Sequence, residues 1–447
     1  MQSEKKIKSI YWKLHHWVGL YAGIIIAVLS LTGACAVFIP EVDSLVKQHY
    51  YQARSTPYAG AYPAFGKSLD TLTIRYPDYK SLSITLPVHK NDPVTVQMQL
   101  AGKQQKGRYE FFIDGGQDAI LGQRRTQNSL ANFMRQMHVR LYEGTWGRQL
   151  VGLAGISLFI VSLTGLLIYG SFMKKQRFPE VRRGLNLRIR MADWHKIFGI
   201  ATLTFNLVIS LTGAWLGLQP WLMKWFDITP PNRHVHSREL SSQADRALQI
   251  DWEQAFAALE KNFPELEPSR IVLSTDGKGV LGFSGRVKGH IFERNTNILD
   301  LSKQDYQVAF RYKVAEASWS SRFFFVQEAL HFGDYGGLTL KVIYALLGLT
   351  SGFLSISGFI IYVYRKNRKH KNVEQGTLRV VFLYSLLFLL LLVLIAFVSL
   401  QIGYKNASYL AGILINASLI AYLVYALSKA AMRYWAARRL NTQGNDH

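Results

Sequence analysis

The sequence predicts an α-helical integral membrane protein of six transmembrane helices, with an internal duplication relating spans 1–2 to spans 3–4 and two small α+β domains outside the membrane. Three observations lead there. Six apolar runs, at residues 17–39, 150–169, 197–218, 338–364, 380–400 and 410–427, approach or exceed the roughly 20 residues a bilayer requires. Basic residues crowd beside those runs. Polar residues inside the runs recur at matched spacing, which apolar composition alone does not explain.

The runs divide the chain in order. Residues 1–39 hold a basic N-terminus and span 1, 40–146 a first outer domain, 147–171 span 2 and 172–193 a basic loop. Residues 194–219 hold span 3, 220–337 a second outer domain, 338–364 span 4 and 365–378 another basic loop. Spans 5 and 6 fall in 379–430 and a tail in 431–447. Loops as long as 40–146 and 220–337 are expected to fold. In the first, "SLSITLP" and "VTVQMQL" alternate like half-buried strands, and "RYEFFIDGGQDAILGQRR" reads as strand, Gly-Gly turn, strand. In the second, Trp252, Phe256, Leu259 and Phe263 mark a helix over 251–263, followed by strand candidates "RIVLS", "GVLGFSG" and "HIFERN".

A net charge of +23 invites nucleic acid as a partner, but its distribution excludes that class. Lys5, Lys6, Lys8 and Lys13, the 174–190 cluster, the 365–371 cluster and Arg433, Arg438 and Arg439 all fall on one side of six alternating spans. The positive-inside rule makes that side cytoplasmic, with both termini in it. The lipid bilayer is the partner this charge faces. The single cysteine, Cys35, excludes a disulfide framework. It closes "LTGAC", which resembles a processing site, yet SLTGA recurs deep in the chain where no processing occurs. Zinc-protease and phosphate-loop signatures are absent.

The duplication carries the chemistry. "KLHHWVGLYAGIIIAVLSLTGACAVF" and "DWHKIFGIATLTFNLVISLTGAWLGL" align His15 with His195, Gly19 with Gly199 and Ser30–Ala34 with Ser210–Ala214, without a gap. "MHVRLYEGTWGRQLVGLAGISLFIVSLTG" and "LHFGDYGGLTLKVIYALLGLTSGFLSISG" align His138 with His331 and Arg148 with Lys341. His15 lies 18 residues before Gly33, about 27 Å of helix, so His15 and His195 belong to the cytoplasmic ends of spans 1 and 3. His138 and His331 lie on the outer side, where "EGTWG" and "GDYGG" break the helix and return the preceding segment to the bundle.

Each face then holds one histidine from each half. Two neutral imidazoles approaching a common point can be the axial ligands of a haem iron, so two haems b are expected on His15/His195 and His138/His331. Small residues nearby leave room for close helices or a flat cofactor. Arg148 and Lys341 could meet haem propionates or act as interfacial anchors. His16 has Lys196 opposite and reads as a lipid-border residue. "HVH" at 234–236 reads as a solvated loop.

These residues resemble the PepSY-associated transmembrane family of bacterial inner-membrane proteins. The resemblance rests on His15, Trp17 and Gly19 opening span 1, Thr32 and Gly33 closing it, and the elements Met137–His138 and Leu330–His331, and it covers about residues 6–368. It implies PepSY-like periplasmic domains and haem-mediated reduction of ferric siderophores in the periplasm, an oxidoreductase activity in iron uptake. With no flavin domain here, the implied electron donor is a separate cytoplasmic reductase or a membrane quinol. A chelate transporter is the alternative, against which stands the expectation that no span has a broken, polar middle. A non-enzymatic regulator leaves the matched histidines unexplained.

Overall fold

The computed structural model describes residues 2–51, 55–102, 106–142, 144–172, 179–182, 187–230, 250–273, 279–292 and 295–366. The expected spans 5 and 6, and His234 and His236, lie outside the described residues. In chain order the helices are α1 (Gln2–Ala36), α2 (Ile39–Lys47), α3 (Gly66–Arg75), α4 (Leu130–Arg140), α5 (Gly144–Phe172), α6 (Leu187–Ala201), α7 (Leu203–Trp225), α8 (Trp252–Asn262), α9 (Trp319–Phe332) and α10 (Gly337–Lys366). The strands are β1 (Tyr79–Thr85), β2 (Val94–Ala101), β3 (Lys106–Asp114), β4 (Ala119–Arg125), β5 (Leu266–Leu273), β6 (Val280–Val287), β7 (Asn297–Ser302) and β8 (Val308–Tyr312).

Among the described residues three helices, within α1, α5 and α10, are long and apolar enough to cross a membrane. A fourth crossing exists if α6 and α7 count as one span, but they meet at a bend of 68°. The expectation that no span is broken is therefore overturned. The break falls on Thr202, with no proline or glycine there to signal it. Thr202 Oγ1 donates to Phe198 O at 2.7 Å, a back-bond that bends helices. Asn206 Nδ2 donates to Thr202 Oγ1 at 3.1 Å, and Ser351 Oγ of α10 donates to Asn206 Oδ1 at 2.5 Å. These bonds satisfy polar groups that hydrocarbon cannot. At the matching offset α1 carries Ala22 and Ile26 and continues unbroken.

The bundle closes by exchange of halves: α5 packs on α7 as α1 packs on α10, and α1 on α5 as α6 on α10. The α5–α7 crossing is backbone against backbone. A Cβ on Gly155 would lie 2.7 Å from the Ala214 nitrogen, and one on Gly152 2.7 Å from Leu218 Cγ. Small residues at such crossings give van der Waals contact where lipid offers no hydrophobic drive.

The two outer loops do not form two separate sheets. Their strands make one eight-stranded antiparallel sheet in the order β4-β3-β2-β1-β5-β6-β7-β8. Each half contributes a four-stranded meander whose inner edge, β1 or β5, would be left unpaired alone; joining the edges removes that liability. Ile84 pairs with Ile271 at the join, both fully buried. Each stands seven residues after a proline (Pro77, Pro264), so they are repeat mates and the twofold passes through their pair. The helices α3 and α8 pack over this centre through Leu69, Leu72, Phe256 and Leu259. Asp251 caps α8, its carboxylate accepting from Gln254 N at 3.1 Å. Of "HIFERN", the described residues 290–292 and 295 are not in a strand; β7 begins at Asn297.

The short α2 ties sheet to bundle. Arg124 of β4 bridges Glu110 of β3 at 2.6 Å and Asp43 of α2 at 2.7 Å. Lys341 of α10 binds Glu41 of α2 at 2.7 Å and Asp334 at 3.6 Å. Arg124 and Glu110 are both buried, so removing the cation strands a carboxylate. Arg124→Met should cost about 3–5 kcal/mol, the penalty for breaking a buried pair from one side. Arg125→Met, at an exposed neighbour, should cost within about 1 kcal/mol. Thermal unfolding in detergent compares them, and equal losses would deny the clamp its role.

Candidate functional site

Four helices present the four repeat-matched histidines. His15 lies on α1 and His195 on α6; their ring centres are 6.3 Å apart, with planes at 89°. His138 lies on α4 and His331 on α9; their ring centres are 6.4 Å apart, with planes at 30°. The first pair sits at the end of the bundle away from the sheet, the second at the end from which α2 leads to the sheet. Helices α4 and α9 reach the bundle because the chain reverses after each of them. Leu141 (φ 46°) and Tyr142 (φ 62°) turn left-handed between α4 and α5, and Gly333 (φ 66°) does so after α9.

Each ring rests on a hydroxyl and a glycine of a neighbouring helix in its own half. His15 Nδ1 stands 2.9 Å from Val161 O and 3.2 Å from Thr164 Oγ1 on α5. His138 Nδ1 stands 3.2 Å from Thr32 Oγ1 on α1. His195 Nδ1 is 2.9 Å from Ser357 Oγ on α10, and His331 Nδ1 is 3.0 Å from Thr212 Oγ1 on α7. The residue after each hydroxyl is glycine, and a Cβ there would meet the ring's Cε1: at 2.8 Å for Gly33, 3.2 Å for Gly165 and Gly213, and 3.5 Å for Gly358. Each half orients its own two rings, and the halves then supply one ring each to every pair.

The spacing has a chemical consequence. Two imidazoles on opposite sides of one metal, each through a bond of about 2 Å, have ring centres about 6 Å apart. Among the described residues no three His, Cys, Asp or Glu side chains cluster to hold a metal ion by themselves. Each pair thus offers two imidazoles with no third such side chain beside them among the described residues.

The two cations of the sequence reading face elsewhere. Arg148 donates through Nε and Nη2 to Leu216 O at 3.0 and 2.7 Å and through Nη2 to Gln219 Oε1 at 3.3 Å, tying α5 to α7. Lys341 is held by Glu41 and Asp334. His16 packs its ring against Tyr362 at 5.1 Å and Trp17 at 5.6 Å, outside both pairs. Beside His195, fully buried Asp193 accepts from Arg182 at 2.8 Å and pairs with Lys196 at 3.3 Å, which fastens the basic loop to α6.

The sequence profile of the PepSY-associated TM region matches residues 12–365, which takes in both histidine pairs and the whole sheet. The chain belongs to that family. It is also similar to an uncharacterized protein of Pseudomonas aeruginosa, 25% identical over 263 residues, 53% of this chain and 64% of the relative. The chain therefore spans somewhat less than two thirds of the curated relative's length. In this PepSY-associated member the histidines were legible as repeat mates, but the supporting Thr164 and Ser357 were not singled out. A signal was present: a hydroxyl residue followed by glycine closes all four segments, at Thr32–Gly33, Thr164–Gly165, Thr212–Gly213 and Ser357–Gly358.

The graded glycine clearances give a graded expectation. Gly33→Ala forces the His138 ring to move and should destabilise the protein by about 1–3 kcal/mol, as overpacking does. Gly358→Ala makes only ordinary contact and should be nearly neutral. Melting temperatures in detergent test the order, and a larger loss at Gly358 would contradict it.

Proposed function

We propose that the chain is a haem protein of the bacterial inner membrane that passes electrons from a cytoplasmic reductase or a membrane quinol to ferric siderophores in the periplasm. The observation that carries this reading is the imidazole pair at each end of the bundle, with ring centres 6.3 and 6.4 Å apart. Among the described residues no third His, Cys, Asp or Glu joins either pair, which suits a planar macrocycle, and the absence of a CxxCH sequence suits haem b rather than a covalently attached haem. Bound there, haem would supply one-electron exchange.

The chain's own residues do the rest. His15 and His195 would hold one group and His138 and His331 the other, both among apolar helices. Arg148 and Lys341 brace the walls, the first across α5 and α7, the second between α10 and α2. The basic clusters favour the sheet side as periplasmic. The substrate class comes from the family resemblance: reducing siderophore iron from Fe(III) to Fe(II) weakens its hold on hard oxygen ligands.

A second reading has one observation in its favour. The bend at Thr202, with buried Thr202, Asn206 and Ser351, is the kind of interrupted span that transporters place at a substrate site. A chelate permease would bind ferric and gallium complexes alike.

Two measurements separate the readings. His15→Ala and His195→Ala should each remove the same haem from the purified protein, and His138→Ala and His331→Ala the other, while His16→Ala keeps both. Loss of one common haem in His15→Ala and His138→Ala would overturn the cross-half pairing. Under anaerobic conditions, the reduced protein should be reoxidised by a ferric siderophore and not by its redox-inert gallium complex. Binding of both complexes without oxidation by either would favour the permease.

A further inference from the structure

The four hydroxyls against the histidines each have a carbonyl of their own helix within reach of their single hydrogen. Thr164 Oγ1 donates to Ile160 O at 2.6 Å and Thr32 Oγ1 to Val28 O at 2.8 Å. Thr212 Oγ1 donates to Val208 O at 2.7 Å and Ser357 Oγ to Leu354 O at 3.1 Å. These are bonds to the hydroxyl's own helix, three or four residues back. A hydroxyl carries one hydrogen and two lone pairs, so each oxygen can only accept from the ring nitrogen it faces. The Val161 carbonyl beside His15 is likewise an acceptor alone. With each hydroxyl hydrogen spent on its own helix, the proton of each ring belongs on Nδ1.

We infer that Thr32, Thr164, Thr212 and Ser357 are positioning residues that lock His138, His15, His331 and His195 as Nδ1–H tautomers, leaving the Nε2 lone pair of each ring for a ligand. A free imidazole places its proton on either nitrogen, and which nitrogen is open to a metal is set by the bond the other one makes. The lock is written into the membrane helices themselves. The hydroxyl supplies the acceptor, and the following glycine removes the Cβ that would push the ring away. Threonine at three positions and serine at the fourth share only the hydroxyl, the group the lock needs.

What Nε2 meets rests on the haem-ligand reading above; the tautomer does not. The test separates them. Full-length protein with 15N-labelled histidine rings, produced without haem and again loaded with it, is examined by nitrogen NMR in detergent, with signals assigned through single His→Gln variants. The four paired histidines should show protonated Nδ1 and unprotonated Nε2 before any haem is added. Thr32→Val keeps the side-chain shape and removes the acceptor, so His138 should lose its Nδ1–H signal while the other three rings keep theirs. Thr32→Ser should restore it. In the loaded protein, Thr32→Val should also shift the reduction potential of one haem only. Nε2–H rings in the parent protein, or an unchanged His138 in Thr32→Val, would overturn the inference. If Thr32→Val does not fold, the parent spectrum and Thr32→Ser still decide it. Nδ1–H rings in a protein that takes up no haem would sustain the tautomer lock and sink the haem reading instead.

Discussion

An imidazole enclosed by membrane helices must find an acceptor for its N–H inside the protein, because hydrocarbon offers none. Every element around the two centres answers that constraint. The acceptors are hydroxyls already bonded to their own helices, and the rings approach them over glycines. Because the acceptor always lies on a neighbouring helix of the same half, α1 must stay against α4 and α5, and α10 against α6. Pairing of rings is then left to the contact between halves.

That contact is made twice, in the bundle and in the sheet. In the bundle, glycine-lined α5 meets α7 while α1 meets α10. In the sheet, β1 and β5 join through Ile84 and Ile271. Duplication alone would give two halves with two histidines each. Fusion across these seams brings His15 to His195 and His138 to His331. The exchange is not perfect, since the Thr202–Asn206–Ser351 network and its bend belong to the second half only.

Much of this was readable before the fold. Apolar length and the matched residues located four helical segments and named the two histidine pairs, because repeat mates exchanged by a twofold meet on the same face. The β1–β4 hairpins and α8 followed from alternation and helical spacing. Three features did not follow, each for a physical reason. The union of the sheets depends on edges far apart in sequence, which no local pattern records. The bend at Thr202 is made by side-chain hydrogen bonds within an apolar run, where Thr202, Thr204 and Asn206 do not by themselves announce a break. The hydroxyls behind the rings take their partners from other helices, which spacing within one helix does not record.

The central claim is that the paired imidazoles hold haem, and the most direct measurement is the visible spectrum and haem content of the full chain purified in detergent from haem-replete cells. The account predicts a red protein with about two non-covalent haems per chain and a dithionite-reduced spectrum of six-coordinate, bis-histidine iron. A colourless preparation, or haem that remains at full content when His15, His138, His195 and His331 are all replaced, would contradict it.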